Sequence, residues 1–273
     1  MSKTVIEMEK PVRLEQKAQL LTKPFEVRLE AKHVKALNKV VNIAEHMKVE
    51  ELTFQFNGKT LSIRHMDATG IALLKASINI RETLLEDFAN EEDESTFSVV
   101  LSQLKRALNI EEPNIKLDDR LYVEGKIGTQ KVNVDLSLIS DFEDPQNTPE
   151  PTVNLNVSTT LNVKKLLETV RKLIPEPEKL RFVSNKELNI EFDTDLQTGN
   201  IGPYPSSGEG RSCYSVQILD ALGSGDWKIE YSTNMPMKAT TTITETVYKG
   251  TASGTKNEIA NIIVWLAPRI EDE

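Results

Sequence analysis

Residues 52–67 read LTFQFNGKTLSIRHMD, two runs of alternating apolar and polar residues on either side of an Asn-Gly pair. Alternation of period two is typical of strands with one buried face, and Asn-Gly favours a tight hairpin turn with positive φ at both positions. Before this hairpin, Phe25 to Leu29 also alternates, and Ala31 to Lys48 repeats its apolar residues at helical spacing. The sequence therefore predicts a unit of strand, helix and hairpin.

The same order of elements recurs along the chain. A second copy starts at Thr96, a third at Thr152 with a helix over 161–174, and a fourth at Tyr214. The third copy continues as KLRFVS, a turn, and ELNIEFDTD, which are two further strands. Four such units predict two similar domains of the α+β class, with the helices on one face of antiparallel sheets. Between the domains, residues 140–151 hold three prolines and four acids, which favours a surface linker.

The composition excludes several classes of protein. Apolar residues make up 38% of the chain and charged residues 27%, the proportions of a soluble globular protein. No run approaches the roughly 18 apolar residues of a membrane-spanning helix, and the start lacks the apolar core of a signal peptide. One cysteine, Cys213, and three scattered histidines offer no internal disulfide and no zinc-ligand spacing. We expect a cytoplasmic protein with no metal and no cofactor.

The basic residues are unevenly distributed, although 33 basic and 42 acidic residues give the chain a net charge of −9. Ala31 to Lys48 and Val163 to Ile174 each carry four basic residues and one glutamate, a local charge of +3. On a helical wheel the basic residues of three helices lie opposite the apolar face. They are Lys32, Lys35 and Lys39 in the first helix, Lys105 and Arg106 in the second, and Lys164, Lys165, Arg171 and Lys172 in the third.

Two interpretations of these faces are possible. For any one amphipathic helix, lysine and arginine can simply be solvated. Agreement among three helices favours a surface that binds a polyanion, because phosphates attract basic groups wherever they lie. The fourth helix departs from the pattern, with Gln217 and Asp220 on its polar side.

Four stretches of the chain resemble the archaeal and eukaryotic DNA sliding clamp, the proliferating cell nuclear antigen (PCNA) family, and are more similar to its archaeal members. The stretches are PFEVRLEA at 24–31, LSIRHMDATGIALLKASI at 61–78, STNMPMKATTTI at 232–243 and WLAPRIEDE at 265–273. The likeness covers roughly Phe25 to Glu273 in matching order. It implies domain boundaries. These are an N-terminal extension at 1–24, a first clamp domain at 25–139, a connecting loop at 140–151 and a second clamp domain at 152–273.

The resemblance implies a ring of three subunits in which helices line a central hole for duplex DNA and sheets form the outside. Such a clamp is not an enzyme: it serves DNA replication and DNA repair as a processivity factor. It tethers DNA polymerase and other partners that carry a short glutamine-aromatic motif, and a clamp loader opens it. Contact with the DNA is not sequence-specific, since sliding needs only backbone contacts. The family would place the chain on the nucleoid, or in the nucleus of a eukaryote.

The resemblance also implies two protein-binding surfaces. An apolar pocket for partner motifs would lie beneath the connecting loop and include the C-terminal segment. Its expected residues are Met66, Gly70, Phe142, Pro145, Pro236, Trp265, Ala267 and Pro268. The subunit boundary would pair an edge strand of the second domain with the last strand of a neighbour's first domain. Its expected residues are Lys131, Val132, Val134, Leu136 and Ile201.

Some features leave alternatives open. Pro203 and Pro205 lack a backbone N–H, so pairing across the subunit boundary beyond Ile201 would be interrupted. This keeps open a clamp-fold subunit of a heteromeric or checkpoint-type ring that acts as a protein scaffold. A second alternative is an enzyme, because the acidic run NEEDES at 90–95 and Asp118-Asp119 could in principle hold magnesium. Acidic loops are more often solvated surface.

Overall fold

The computed structural model describes residues 17–18, 24–80, 94–143, 148–193, 197–247 and 255–269. The elements that precede the connecting loop or lie within it are β1 (Lys17–Ala18), β2 (Phe25–Arg28), α1 (Ala31–His46), β3 (Glu51–Phe56), β4 (Thr60–Met66), β5 (Ala72–Asn79), β6 (Ser95–Val100), α2 (Leu101–Ala107), β7 (Glu111–Leu117), β8 (Leu121–Ile127), β9 (Gln130–Leu136), β10 (Leu138–Ile139) and β11 (Phe142–Glu143). Those that follow are β12 (Val157–Asn162), α3 (Val163–Leu173), β13 (Lys179–Asp193), β14 (Thr198–Ser215), α4 (Val216–Asp220), β15 (Asp226–Tyr231), β16 (Met237–Val247) and β17 (Thr255–Leu266).

The strands form two main sheets. One has eleven strands in the order β10-β6-β3-β4-β5-β17-β16-β15-β12-β14-β13, and the other has four in the order β2-β7-β8-β9. The short strands β1 and β11 pair with each other. The pairings are antiparallel, and the helices pack on the sheets through faces of buried leucine, valine, isoleucine and alanine. The predicted α+β class with two similar domains is confirmed.

The hairpin between β3 and β4 forms where the sequence predicts it, with a turn that differs in detail. Gly58 has a φ of 76°, whereas Asn57 is not among the residues with positive φ. The Asn57 side chain instead accepts hydrogen bonds from the backbone N–H groups of Lys59 and Thr60, at 3.3 and 2.9 Å. The prediction of positive φ at both positions was therefore wrong, because the asparagine stabilises this turn through its side chain.

The strand β13 is folded back on itself. A straight strand would separate residues ten positions apart by about 33 Å. The Arg181 guanidinium nevertheless lies 3.3 Å from the carboxylate of Glu191. The reversal coincides with a register shift between Asn185 and Glu187 and with a φ of 70° at Lys186. The two halves of β13 are therefore the two strands, separated by a turn, that the sequence predicts for the third copy.

With this reversal, the second domain repeats the strand order of the first. Residues 209–215 of β14 pair with the first half of β13, and residues 198–205 pair with its second half. The four segments lie side by side like β6, β3, β4 and β5 of the first domain. Likewise, β12, β15, β16 and β17 repeat the order β2, β7, β8 and β9.

One strand pairing joins the two domains. Strand β17 pairs with β5 from Ala260 opposite Ile78 to Leu266 opposite Ala72. Strand β5 ends the series β6, β3, β4 and β5, whereas β17 ends the series β12, β15, β16 and β17. This joint between the domains therefore connects the ends of two different series. A single eleven-stranded sheet results, with the core on its helical side.

Candidate nucleic-acid interface and partner-binding pocket

The four helices of the described chain form a row. Contacts between helices join α2 to α1, α1 to α4, and α4 to α3, so the order along the row is α2-α1-α4-α3. Amphipathic helices that bury one face against a sheet present the opposite face outward. The row therefore brings the predicted basic residues of both domains to one side of the molecule.

Most of these basic residues are exposed. Lys35, Arg106, Lys164, Lys165 and Lys172 are exposed on the helix row. Lys105 pairs with Glu45 at 2.5 Å and Arg171 with Asp220 at 3.0 Å, and about 40% of both basic side chains is still accessible. Such exposed pairs contribute only about 0–1 kcal/mol each, so the side chains can exchange partners.

Lys32 and Lys39 have partners within the chain. The ammonium of Lys32 lies 2.8 Å from Glu245 and 3.1 Å from Glu30, and the hydrogen bond with Glu245 raises the pKa of Lys32. The ammonium of Lys39 donates to the carbonyl of Ser224 and lies 4.6 Å from the centre of the Trp227 ring. Burial, with a smaller effect of Lys35, lowers the pKa of Lys39. Both lysines thus connect α1 to the second domain.

A cleft of about 1180 Å³ lies beside α1 on this side. It runs between α1, the turn after α2, the turn after α4 and the strand β16. Besides Lys35, its α1 wall includes Asn38, Asn42 and His46. The sequence interpretation missed these polar residues, although they follow Lys35 at successive spacings of three, four and four residues, which places them on the same helix face.

The outer face of the eleven-stranded sheet, opposite the helices, holds the expected pocket region. Met66 pairs across the strands with Leu73, and Leu73 pairs with Trp265. Leu73 and Trp265 are 2% and 6% exposed but lie outside the main core, to which Leu74 and Val264 belong. Since neighbouring residues of a strand point to opposite faces, Leu73 and Trp265 form a second apolar cluster on the outer face.

A tight turn follows Met66. One carboxylate oxygen of Asp67 accepts hydrogen bonds from the backbone N–H groups of Ile71 and Ala72, both at 2.7 Å. Gly70 has a φ of 71°, which favours glycine. The Met-Asp pair of the sequence thus has a structural explanation, since the aspartate organises the turn beside the pocket region.

The C-terminal segment crosses this turn. Ala267 donates a backbone hydrogen bond to the carbonyl of Ile71 at 2.7 Å, and Arg269 donates one to the carbonyl of Cys213 at 2.8 Å. Pro236, Ala267 and Pro268 are half-buried. Ile71 and Met235 are 40% and 43% exposed. The sequence interpretation did not name these two apolar residues, although each adjoins an expected pocket residue.

The connecting loop is described on both sides of residues 144–147, and its Glu150 lies on the outer face. The loop follows β10, which is the edge strand of the sheet and pairs with β6, and Phe142 is buried in β11. Further along, Glu150 forms an ion pair with Lys75 on β5 and lies 4.0 Å from Arg64 on β4. Pro145, another expected pocket residue, lies outside the described residues.

The expected boundary strands both present a free edge. Within the part of the chain that the structure describes, β9 pairs with β8 alone, and residues 198–205 of β14 pair with β13 alone. On β9, Lys131 is exposed, Val132 and Val134 are half-buried, and Leu136 is buried. Ile201 is half-buried. Strand β14 continues through Pro203 and Pro205 and keeps its partner β13, with a shift of register near Ile201.

No group of three or more metal-ligating side chains occurs in the described ranges. Asp119 accepts a hydrogen bond from the Tyr122 hydroxyl at 2.8 Å, and residues 90–93 of the acidic run lie outside those ranges. No helix in the described part of the chain is long and apolar enough to cross a membrane.

These features define a clamp-fold protein, and comparison with solved structures supports this class. The chain is similar to PCNA from Entamoeba histolytica at a TM-score of 0.70 and 12% identity, over 90% of this chain and 99% of that one. It is also similar to A. fulgidus PCNA, solved with the C-terminal region of FEN-1, at 0.63 and 21% identity, over 91% and 100%. A third similarity is to a PCNA2-PCNA3 complex from Sulfolobus tokodaii, at 0.65 and 16%, over 90% and 99%.

Comparison by sequence finds less. No model of a protein family matches the chain, and no curated protein matches it. The likeness to PCNA is therefore a likeness of fold, and it confirms the resemblance at that level.

Proposed function

We propose that this chain is a subunit of a DNA sliding clamp, a ring that encircles duplex DNA and holds a DNA polymerase and other DNA-processing proteins on it. The observation that carries the proposal is the row of four helices, which collects exposed basic side chains in a chain of net charge −9. A duplex in contact with this row would meet lysine and arginine at its phosphates. Non-specific backbone contacts of this kind permit sliding, and the proposed role includes no catalysis.

The free edges support ring closure. Inside the chain, the fourth segment of the first domain, β5, pairs with the last strand of the second domain, β17. The equivalent fourth segment of the second domain is 198–205, and the equivalent last strand of the first domain is β9. Pairing these two edges between neighbouring chains would repeat the internal joint, and a head-to-tail contact of this kind can close into a ring. Three chains of two domains each are the proposed composition.

The outer pocket region supports a tethering role. The A. fulgidus PCNA structure contains a bound C-terminal region of FEN-1. In this chain, the exposed Ile71 and Met235 lie next to the half-buried Pro236, Ala267 and Pro268. Apolar groups that cluster on a surface mark interaction sites. We therefore assign this region to partner segments with a glutamine and a pair of aromatic residues.

Charge reversal on α3 tests the DNA-binding role. Lys165→Glu with Lys172→Glu changes two exposed residues of the helix row. We expect this variant to lose stimulation of polymerase processivity on primed DNA and to keep its thermal unfolding midpoint. Lys116→Glu with Lys256→Glu is the matched control, because it changes the charge equally at exposed strand positions. Equal processivity of the two variants would refute the proposal.

A heteromeric ring is the second candidate. It is favoured by the likeness to the PCNA2-PCNA3 complex and by the two prolines in the edge segment of β14. The mass of the purified chain in solution distinguishes the two. Three copies indicate a homotrimer, whereas a single copy that assembles only with other clamp-fold chains indicates a heteromer.

A further inference from the structure

A cluster of cations lies beside Trp265 on the outer face of the eleven-stranded sheet. The ammonium of Lys238 is 5.4 Å from the centre of the Trp265 ring, and the two residues are cross-strand partners. Arg64 and Lys75 are also cross-strand partners, two residues along β4 and β5 from Met66 and Leu73. Residues two apart on a strand share a face. All three cations therefore lie on the face that carries the partner pocket.

Among the described residues, two carboxylates contact or pair with the members of this cluster, and they are fewer than its cations. Glu150 forms an ion pair with Lys75 and lies 4.0 Å from Arg64. Glu230 is the other cross-strand partner of Lys238, but its carboxylate accepts a hydrogen bond from Lys228 at 2.7 Å. In the described part of the chain, Lys238 has no ion pair within 4 Å. Within this cluster of described residues, the four cations Arg64, Lys75, Lys228 and Lys238 thus outnumber the two carboxylates of Glu150 and Glu230.

Two nearby nitrogen donors also lack an acceptor. The indole Nε1 of Trp265 and the Nε of Arg64 are buried and donate no hydrogen bond to any residue that the structure describes. Trp265 is 94% buried, since its relative exposure is 6%. A buried donor without an acceptor costs about 1–3 kcal/mol. A surplus of donors and cations beside an apolar cluster fits a ligand that brings acceptor oxygens.

We propose that Lys238, with Arg64 and Lys75 behind it, forms a carboxylate-binding subsite, and that partners of this chain carry aspartate or glutamate next to their apolar anchor. The proposal rests on the partner pocket assigned above and adds its charge preference. The net charge of −9 does not oppose it, because salt at physiological strength screens charges beyond about 8 Å. Contacts within that distance decide which flanking residues are preferred.

Two synthetic peptides test the preference. Both carry a glutamine and a pair of aromatic residues, and they differ only in two flanking positions that are aspartate in one and asparagine in the other. Their affinities for the full chain are measured by fluorescence anisotropy. We expect the aspartate peptide to bind about two- to fivefold more tightly, the range that exposed ion pairs typically give. That advantage should shrink when salt is raised from about 0.05 M to about 0.3 M.

Lys238→Gln should remove the difference in affinity between the aspartate peptide and the asparagine peptide. Lys116→Gln, an exposed lysine of β7, is the matched control and should leave both affinities unchanged. Equal affinity of the two peptides for the unmodified chain would overturn the charge preference but leave the pocket standing. Failure of both peptides to bind would overturn the pocket assignment and the subsite together. The salt dependence of the unmodified chain requires no variant and remains decisive if Lys238→Gln fails to fold.

Discussion

In the first domain, β5 pairs with β4 on one edge and with β17 on the other. Residues 198–205, which occupy the same position in the second domain, pair with β13 and with no other described segment. The first of these edges is covered by the chain itself. The second is open in the described part of the chain, and it carries two prolines that β5 lacks. The same unit thus serves once as an internal joint and once as a free edge.

The helices of the two domains differ in a related way. In the first domain, α2 ends with Lys105 and Arg106 in its last turn. Its counterpart α4 spans only Val216–Asp220 and ends in an acid, which pairs with Arg171 of α3. Positive charge on the helix row therefore comes from both helices of the first domain but only from α3 in the second. The repeat preserves the packing faces of its helices more closely than their exposed faces.

Proline substitutions in β9, which has a free edge, and in β17, which is paired on both edges, should give the largest effects and the clearest contrast. Neighbouring residues of a strand direct their N–H groups to opposite edges, so either Asn133→Pro or Val134→Pro removes an outward N–H of β9. We expect that variant to run at the mass of a single folded chain in sedimentation. Val264→Pro instead removes a bond inside the sheet, because β17 is paired on both edges. That variant should lose its folded structure.

Circular dichroism of the same samples separates dissociation from unfolding. A β9 variant that keeps its strand and helix signals but loses mass supports the free edge as the subunit boundary. If both β9 variants kept the mass of the assembled protein, β9 would not form the subunit boundary.

The turn after β4 should show the next largest effect. Asp67 accepts two backbone hydrogen bonds in the first domain, and Asp67→Ala leaves Ile71 and Ala72 without that acceptor. We expect a loss of about 1–3 kcal/mol in the free energy of unfolding, measured with urea. Asp67→Asn keeps an acceptor oxygen and should lose less. If the alanine variant were as stable as the unmodified chain, the turn would not depend on this carboxylate.

Much of the fold could be predicted from local patterns. The hairpin at residues 52–67 and the helices α1 and α3 follow from spacings that depend on a few neighbouring residues. The helix predicted at 161–174 spans Val163–Leu173, because Asn162 caps it through a hydrogen bond from the Lys165 backbone N–H. The helix predicted at Ala31 to Lys48 ends at His46. Differences of this size are usual at helix ends.

Long-range pairings could not be predicted in this way. Lys39 meets Ser224 and Trp227 from more than 180 positions away, and Lys32 meets Glu245. A helical wheel places these lysines on an exposed stripe, but it carries no information on what another domain brings to that stripe. The same holds for Glu150, which lies in a proline-rich linker yet pairs with Lys75 in the sheet.

Lys35 and Lys39 lie one turn apart on α1, and we expect them to have different roles. Lys39 contacts the second domain, whereas Lys35 is exposed. Lys39→Met should cost about 0.5–2 kcal/mol in unfolding free energy, since it removes a cation–π contact and a hydrogen bond. Lys35→Met should leave stability unchanged but lower by about one the slope of log affinity for DNA against log salt. If Lys35→Met lowered the stability and Lys39→Met lowered the salt slope instead, Lys35 would be the structural residue and Lys39 the one that contacts DNA.

The smallest effect is expected for the ion pair between Glu150 of the connecting loop and Lys75 of β5, and for its dependence on pH. The hydrogen bond from Lys75 is the main cause that holds the pKa of Glu150 below its ordinary value of 4.5; burial opposes it, and Arg64 and Lys238 add to it. A carboxyl group whose pKa is lower in the folded state stabilises that state above its unfolded pKa, and this contribution disappears as the pH falls through the folded pKa. Glu150→Gln should therefore cost less than about 1 kcal/mol at neutral pH, because the site is partly exposed. The difference between the two proteins in urea unfolding should shrink as the pH falls below 4.5. A difference that stayed constant with pH would mean that the ionised carboxylate does not hold the linker on the sheet.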